Sequence, residues 1–234
     1  MTNSPGWAVS IEGEKVDLED LAEWLKPPSS PWIETYENEG KLVYLLRSKQ
    51  WSAFNEGADV IRDAERLVGL LHGQALLIQP DARPFKTGTV FRFGDAGNKQ
   101  PVVVPISAKM TLSLGRVRVR IITGKKESTE PSRMQKWISD AESDSLKSDL
   151  FAHLARADNW FDLYKSMELA QRLLGGNKPA AKVIGSDWSE WTKVWQMANC
   201  ARHAPDPVKY PLPDPPREFG PSRQFVLKVL TRIL

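Results

Sequence analysis

Apolar residues recur at helical spacing twice in the first eighty positions. Leu18, Leu21, Trp24 and Leu25 predict a short amphipathic helix that opens at Asp17, a side chain able to cap free amides, and stops at Pro27 and Pro28. Ala58, Ile61, Ala64, Leu67, Val68 and Leu71 collect on one face of a longer helix from about Asn55 to His72, with Gly73 as its expected stop. Between the two, Lys41 to Leu46 (KLVYLL) reads as a strand after the turn-prone Glu37-Asn38-Glu39-Gly40. From Thr87 to Thr123 the period becomes alternating: TGTVFRF, PVVVPIS, MTLSL and RVRVRIIT predict four strands of an antiparallel sheet. Alternation puts Arg116, Arg118 and Arg120 on one face of the last strand and Val117, Val119 and Ile121 on the other.

The pattern then changes for good. Gly124 to Arg133 (GKKESTEPSR) has no apolar residue and reads as an exposed connector. Beyond it, Met134 to Ala141, Leu146 to Ala157, Trp160 to Leu174, Asp187 to His203 and Ser222 to Leu234 all carry helical spacing. Gly175-Gly176 ends one helix, Ser186 or Asp187 caps the next, and the proline-laden stretch from Pro205 to Pro221 is excluded from helix. The expected architecture is α+β. A mixed N-terminal domain (1–125) with an antiparallel sheet and two helices precedes a linker (126–132) and an all-α C-terminal bundle (133–234).

Composition adds a class and a charge map. With 41% hydrophobic and 26% charged content over 234 residues, the chain can bury a core, and no apolar run approaches the roughly 20 residues of a membrane helix. The first residues have neither the basic start nor the apolar stretch of a secretory signal, and the single cysteine, Cys200, has no partner in the chain, so the expected address is the cytoplasm. A formal net charge of +3 conceals asymmetry: residues 1–40 hold two basic against nine acidic side chains, residues 81–126 ten basic against two acidic. The Arg116, Arg118 and Arg120 face, with Arg92 on a neighbouring strand, would track a phosphate backbone, stay solvated, or pair with the acidic first forty residues.

Familiar catalytic signatures are missing: no phosphate loop, dinucleotide fingerprint, His-Glu-x-x-His, Cys-x-x-Cys or nucleophile elbow. Three histidines and one cysteine give no metal site, and no cofactor is expected. The chemistry that remains lies in Ala198-Asn199-Cys200-Ala201-Arg202-His203 at a helix end. Asn199 and His203, four apart, share a helix face, and Arg202 adds a fixed cation. Imidazole can take or give a proton near neutral pH, guanidinium binds phosphate, and an amide can orient either. The set suits RNA cleavage without a metal; it equally suits ordinary capping, with the histidine on the last carbonyls and Arg202 in solvent. Asp162 and Lys165, three apart, are expected as a surface pair or as lining of the same cleft. Trp188, Trp191 and Trp195 form a stripe that is either a buried seam or a surface for stacking bases.

These elements carry a resemblance. Asn159 to Lys165 (NWFDLYK), Ala198-Asn199, Ala201 to Ala204 (ARHA) and the final helix resemble a group of uncharacterised bacterial proteins with an HEPN-like C-terminal helical domain, over roughly the last 90 residues. In the HEPN pattern Asn199 matches the polar position and His203 the histidine, while the arginine expected at 198 is Ala198 here. The resemblance implies a cytosolic RNA-binding protein, a candidate metal-independent endoribonuclease with His203, Arg202 and Asn199 as its catalytic set, and a homodimer. The alternative is a non-enzymatic adaptor or regulatory subunit that docks a protein partner, a reading favoured by Ala198.

Overall fold

In the computed structural model, residues 6–38, 41–94, 99–102, 130–203 and 209–234 are described. The expected strands after Val102, with Arg116, Arg118 and Arg120, and most of the expected linker lie outside them. The chain divides into two units, one of residues 1–68 and 83–138, the other of residues 69–82 and 139–234.

The first unit is built on a five-stranded antiparallel sheet of β1 (Gly6–Glu12), β2 (Trp32–Asn38), β3 (Lys41–Arg47), β4 (Lys86–Phe93) and β5 (Lys99–Val102), in the order β2-β3-β1-β4-β5. Central β1 pairs Val9 with Leu46 of β3 and with Val90 of β4. All three are 0–1% exposed. On the opposite face Ala8, Leu45, Phe91 and Phe93 form a second buried cluster, with Tyr36 and Val43 packed against it. In GWAVSIE the large apolar Trp7, Val9 and Ile11 alternate with the small or polar Ala8, Ser10 and Glu12, a short strand pattern that carried no expectation.

Helix α1 (Lys15–Trp24) begins two residues earlier than Asp17. Asp17 is not its cap: the side chain is 2% exposed and accepts the Arg83 amide at 3.1 Å, joining the helix to the entry of β4. Helix α3 (Arg133–Ser143) starts with a reciprocal cap. Ser132 Oγ accepts the Gln135 amide at 3.2 Å, and Gln135 Oε1 accepts the Ser132 amide at 3.0 Å. Gln135 Nε2 then donates to the carbonyls of Lys26, Ser29 and Pro31 at 2.8, 3.2 and 2.9 Å, so one buried amide holds the proline turn between α1 and β2.

Helix α2 (Gly57–Ile78) does not stop at Gly73. Its residues through Val68 group with the sheet unit and those from Gly69 with the helical one. The helical unit contains α4 (Ser145–Leu154), α5 (Trp160–Leu173), α6 (Asn177–Ile184), α7 (Trp188–Arg202) and α8 (Phe219–Ile233). Gly73 is where α4 comes closest: a Cβ there would lie 2.8 Å from the Phe151 carbonyl carbon and overlap its oxygen. Glycine is needed for approach, not for termination. Gly175 and Gly176 do end α5, at φ 87° and 100°, with the Gly176 amide reaching back to the Gln171 carbonyl. Asp187 precedes α7 without capping it; its carboxylate takes Arg232 Nη1 at 2.8 Å instead. Helix α6 had no expectation.

Helix α8 buries Val226, Leu227, Val229 and Leu230 and ties back to the α2 end. Thr231 Oγ1 donates to the Leu77 carbonyl, and Arg223 to the carbonyls of Pro80 and Ala157. His72 is buried, and burial, with the Arg223 guanidinium adding to it, lowers its pKa from 6.5 to about 4. The folded ring stays neutral while the unfolded one takes a proton below pH 6.5, so this contribution to stability is full above that value and is lost as pH falls toward 4. Denaturant midpoints at pH 7 and pH 4.5 should show a loss of about 2 kcal/mol, and His72→Gln should flatten that difference.

Candidate functional site

The residues singled out at the end of α7 do come together, by a route that helical spacing alone does not show. The helix ends at Arg202, and His203 leaves it extended, at φ −93° and ψ 149°. Asn199 and His203 therefore do not meet as neighbours on a helix face. Arg202 bridges them, its Nη2 donating to Asn199 Oδ1 at 3.4 Å and contacting His203 Nε2 at 2.9 Å. A guanidinium only donates, so Nε2 is the accepting nitrogen and the hydrogen of the neutral ring sits on Nδ1.

Aromatic rings hold both partners. The Arg202 Cζ lies 4.3 Å from the centroid of Tyr164 on α5, and Tyr164 stacks on Trp195, about two turns back along α7, at 5.6 Å and 10°. His203 stacks on Tyr210 at 4.2 Å and 3°. The backbone around Tyr210 is held by the same face of α7: Gln196 Nε2 donates to the Pro211 carbonyl at 2.7 Å, and the Cys200 thiol reaches the Tyr210 and Pro211 carbonyls at 3.1 and 3.3 Å. Burial pushes the Cys200 thiol pKa up, so it stays protonated and able to donate. In the tryptophan stripe Trp191 is fully buried with Val194 and Ala198, while Trp188 and Trp195 are half-buried; the seam runs through the first of these only.

A second constellation went unrecognised in the sequence. Asp162 does not pair with Lys165, which binds Glu168 at 2.7 Å. It closes the α4–α5 corner: Oδ1 meets His153 Nδ1 at 2.7 Å and Arg156 Nε at 3.5 Å, and Oδ2 takes Asn159 Nδ2 at 3.0 Å. Asn159 Oδ1 in turn accepts the Asp162 amide at 3.0 Å, capping α5. Burial acts to raise the Asp162 pKa, but the hydrogen bonds of Asn159 and His153 and the charge of Arg156 outweigh it and hold the carboxyl below its usual range. The shorter contact, from Nδ1 to the carboxylate, puts the neutral ring's hydrogen on Nδ1, with Arg156 Nη2 lying 3.3 Å from the same nitrogen. Asp158, hydrogen-bonded to Asn159, places a second carboxylate beside it, and Arg223, which donates to the Ala157 carbonyl, faces Asp158. The signal in the sequence was Asn159-x-x-Asp162, a cap with its acid three residues on.

Of the expected basic face, Arg92 is described: it is exposed on β4, with its Cζ 5.0 Å from the Trp7 ring centroid. Among the described residues no group of three or more His, Cys, Asp and Glu side chains is placed to hold a metal ion, and no helix is long and apolar enough to cross a membrane. Comparison of the chain with protein-family models, with curated proteins and with solved structures found no match, and so brings nothing to bear on the HEPN resemblance.

Proposed function

We propose that the helical unit is a non-enzymatic docking module, an adaptor or regulatory element that binds a protein partner. The observation that carries this reading is the 2.9 Å contact between Arg202 Nη2 and His203 Nε2. A general base needs a free lone pair aimed at substrate, and the lone pair of this ring already receives an N–H from the cation meant to bind phosphate. Ring stacking on Tyr210 and the grip of Gln196 and Cys200 on the neighbouring carbonyls give the same residues a holding role. Charge agrees: residues 139–203 hold eight Lys and Arg against nine Asp and Glu, no excess to attract a polyanion.

The second reading is an RNA-binding protein, dimeric and ribonucleolytic as the HEPN resemblance implies. It is favoured by one feature, a cation and an imidazole in contact beside an aromatic ring. The test is incubation of the purified protein with labelled RNA in EDTA, at 50 and 200 mM salt, alongside His203→Ala and Arg202→Ala. The expected result is intact RNA and no salt-labile complex with any of the three. Cleavage by the parent that disappears in His203→Ala overturns the docking reading.

A further inference from the structure

Gln196 and Cys200, four apart on one face of α7, and His203 just past its end hold two consecutive residues of the proline-rich segment. The chemistry of the match is specific. Pro211 has no amide hydrogen, so that residue offers only its carbonyl oxygen, and the side chains of α7 present donors: Gln196 Nε2 to Pro211, and the Cys200 thiol to Tyr210 and Pro211. The residue before the proline is read by its ring, parallel to His203 at 3°. Arg202 contacts the imidazole through Nε2, and Arg202 in turn lies over Tyr164, which stacks on Trp195. Aromatic rings with a few donors are the means by which extended proline-containing peptides are recognised, at low entropic cost because proline stiffens them.

Lys209, Pro211 and Leu212 are exposed, Leu212 at 56%, and Tyr210 is half-buried.

We propose that Gln196 and Cys200 on α7, with His203 just past its end, form a recognition site for a peptide with an aromatic residue followed by proline, occupied in cis by Tyr210 and Pro211 and open to the same pair from a partner protein. This deepens the docking reading and rests on it. Intramolecular occupancy acts as a competitor: the apparent affinity for an outside peptide falls by the fraction of molecules whose site is vacant. Weakening the cis segment should therefore strengthen binding in trans.

The test uses the full chain and a fluorescent peptide of residues 209–214, Lys-Tyr-Pro-Leu-Pro-Asp. Tyr210→Ala removes the stacked ring from the cis segment and should bind the peptide at least tenfold more tightly than the parent. Adding Gln196→Ala should take that gain away, and a peptide with alanine for tyrosine should not bind. Cys200, the chain's single cysteine, supplies a second readout that needs no variant: the peptide at saturation should slow its alkylation in the parent. Equal binding by parent, Tyr210→Ala and the double variant, with alkylation unchanged, overturns the site. A parent dimer that the peptide dissolves identifies a second copy of the chain as the occupant and overturns the partner peptide. Neither result touches the RNA assay, so the failure of this site and the failure of the docking reading are separable.

Discussion

Gly73→Ala should lower the melting temperature by about 10 °C, the loss expected when roughly 3 kcal/mol is taken from a chain of this size. On helix propensity alone the substitution would help, since alanine is favoured over glycine inside a helix by about 1 kcal/mol. The clash decides the sign. The added methyl overlaps a backbone carbonyl, that of Phe151, and a carbonyl inside α4 cannot rotate away as a flexible side chain could. Relief would need α2 and α4 to separate, opening contacts around Phe151, which is itself fully buried. Thermal unfolding followed by circular dichroism measures it directly. A variant as stable as the parent would show that the two helices are not in contact at that position. Gly69, on the same helix, has nothing within 4 Å of a built Cβ, so Gly69→Ala is the matched control and should be neutral or stabilising.

Gln135→Leu should cost about 3 kcal/mol, because the amide serves two structures at once. Its Oε1 completes the cap of α3, a contribution on the order of 1 kcal/mol. Its Nε2 satisfies carbonyls of Lys26, Ser29 and Pro31 in the turn that delivers β2 to the sheet. Leucine matches the volume and the burial but leaves those carbonyls without their donor, at about 1 kcal/mol or more for each that water does not reach. Gln135→Glu at pH 7 should do no better, since it keeps the acceptor for the Ser132 amide but sets a buried carboxylate oxygen against the three carbonyls. Denaturant midpoints should place both variants below the parent. A Gln135→Leu midpoint equal to the parent's would mean that the amide contributes nothing.

The long helices were legible for a simple reason: α2, α5, α7 and α8 bury residues at three and four along one face, and that period survives in the bare sequence. What failed has physical causes. β1 has its alternation in only three large apolar residues, Trp7, Val9 and Ile11, too short a run to stand out. α6 buries only Ala180 and Ile184 in eight residues, too little for a period. Gly73 read as a stop because glycine mid-helix has two explanations, and only tertiary contact tells them apart. Asp17 and Asp187 read as caps, whereas each carboxylate is used at long range, on the Arg83 amide and the Arg232 guanidinium. Ser132-x-x-Gln135 was a capping signature that could have been read. At the α7 end the residues were identified and their relation was not. The contact of Arg202 with His203 depends on where the helix stops, and a rotation of about 100° per residue would have kept them apart had it continued. His153 and Asp162 meet across a helix corner, which no spacing rule covers.

The helical unit takes its first strip, residues 69–82, from far upstream of the rest. The hydrogen bond from Thr231 to the Leu77 carbonyl joins positions 154 apart. During synthesis at about 5–20 residues per second, Leu70, Leu71, Leu76 and Leu77 emerge and then wait on the order of ten to thirty seconds for the helix that completes their burial. For that interval the nascent chain carries these four leucines without the last helix, whose Thr231 closes on the Leu77 carbonyl only when synthesis is complete.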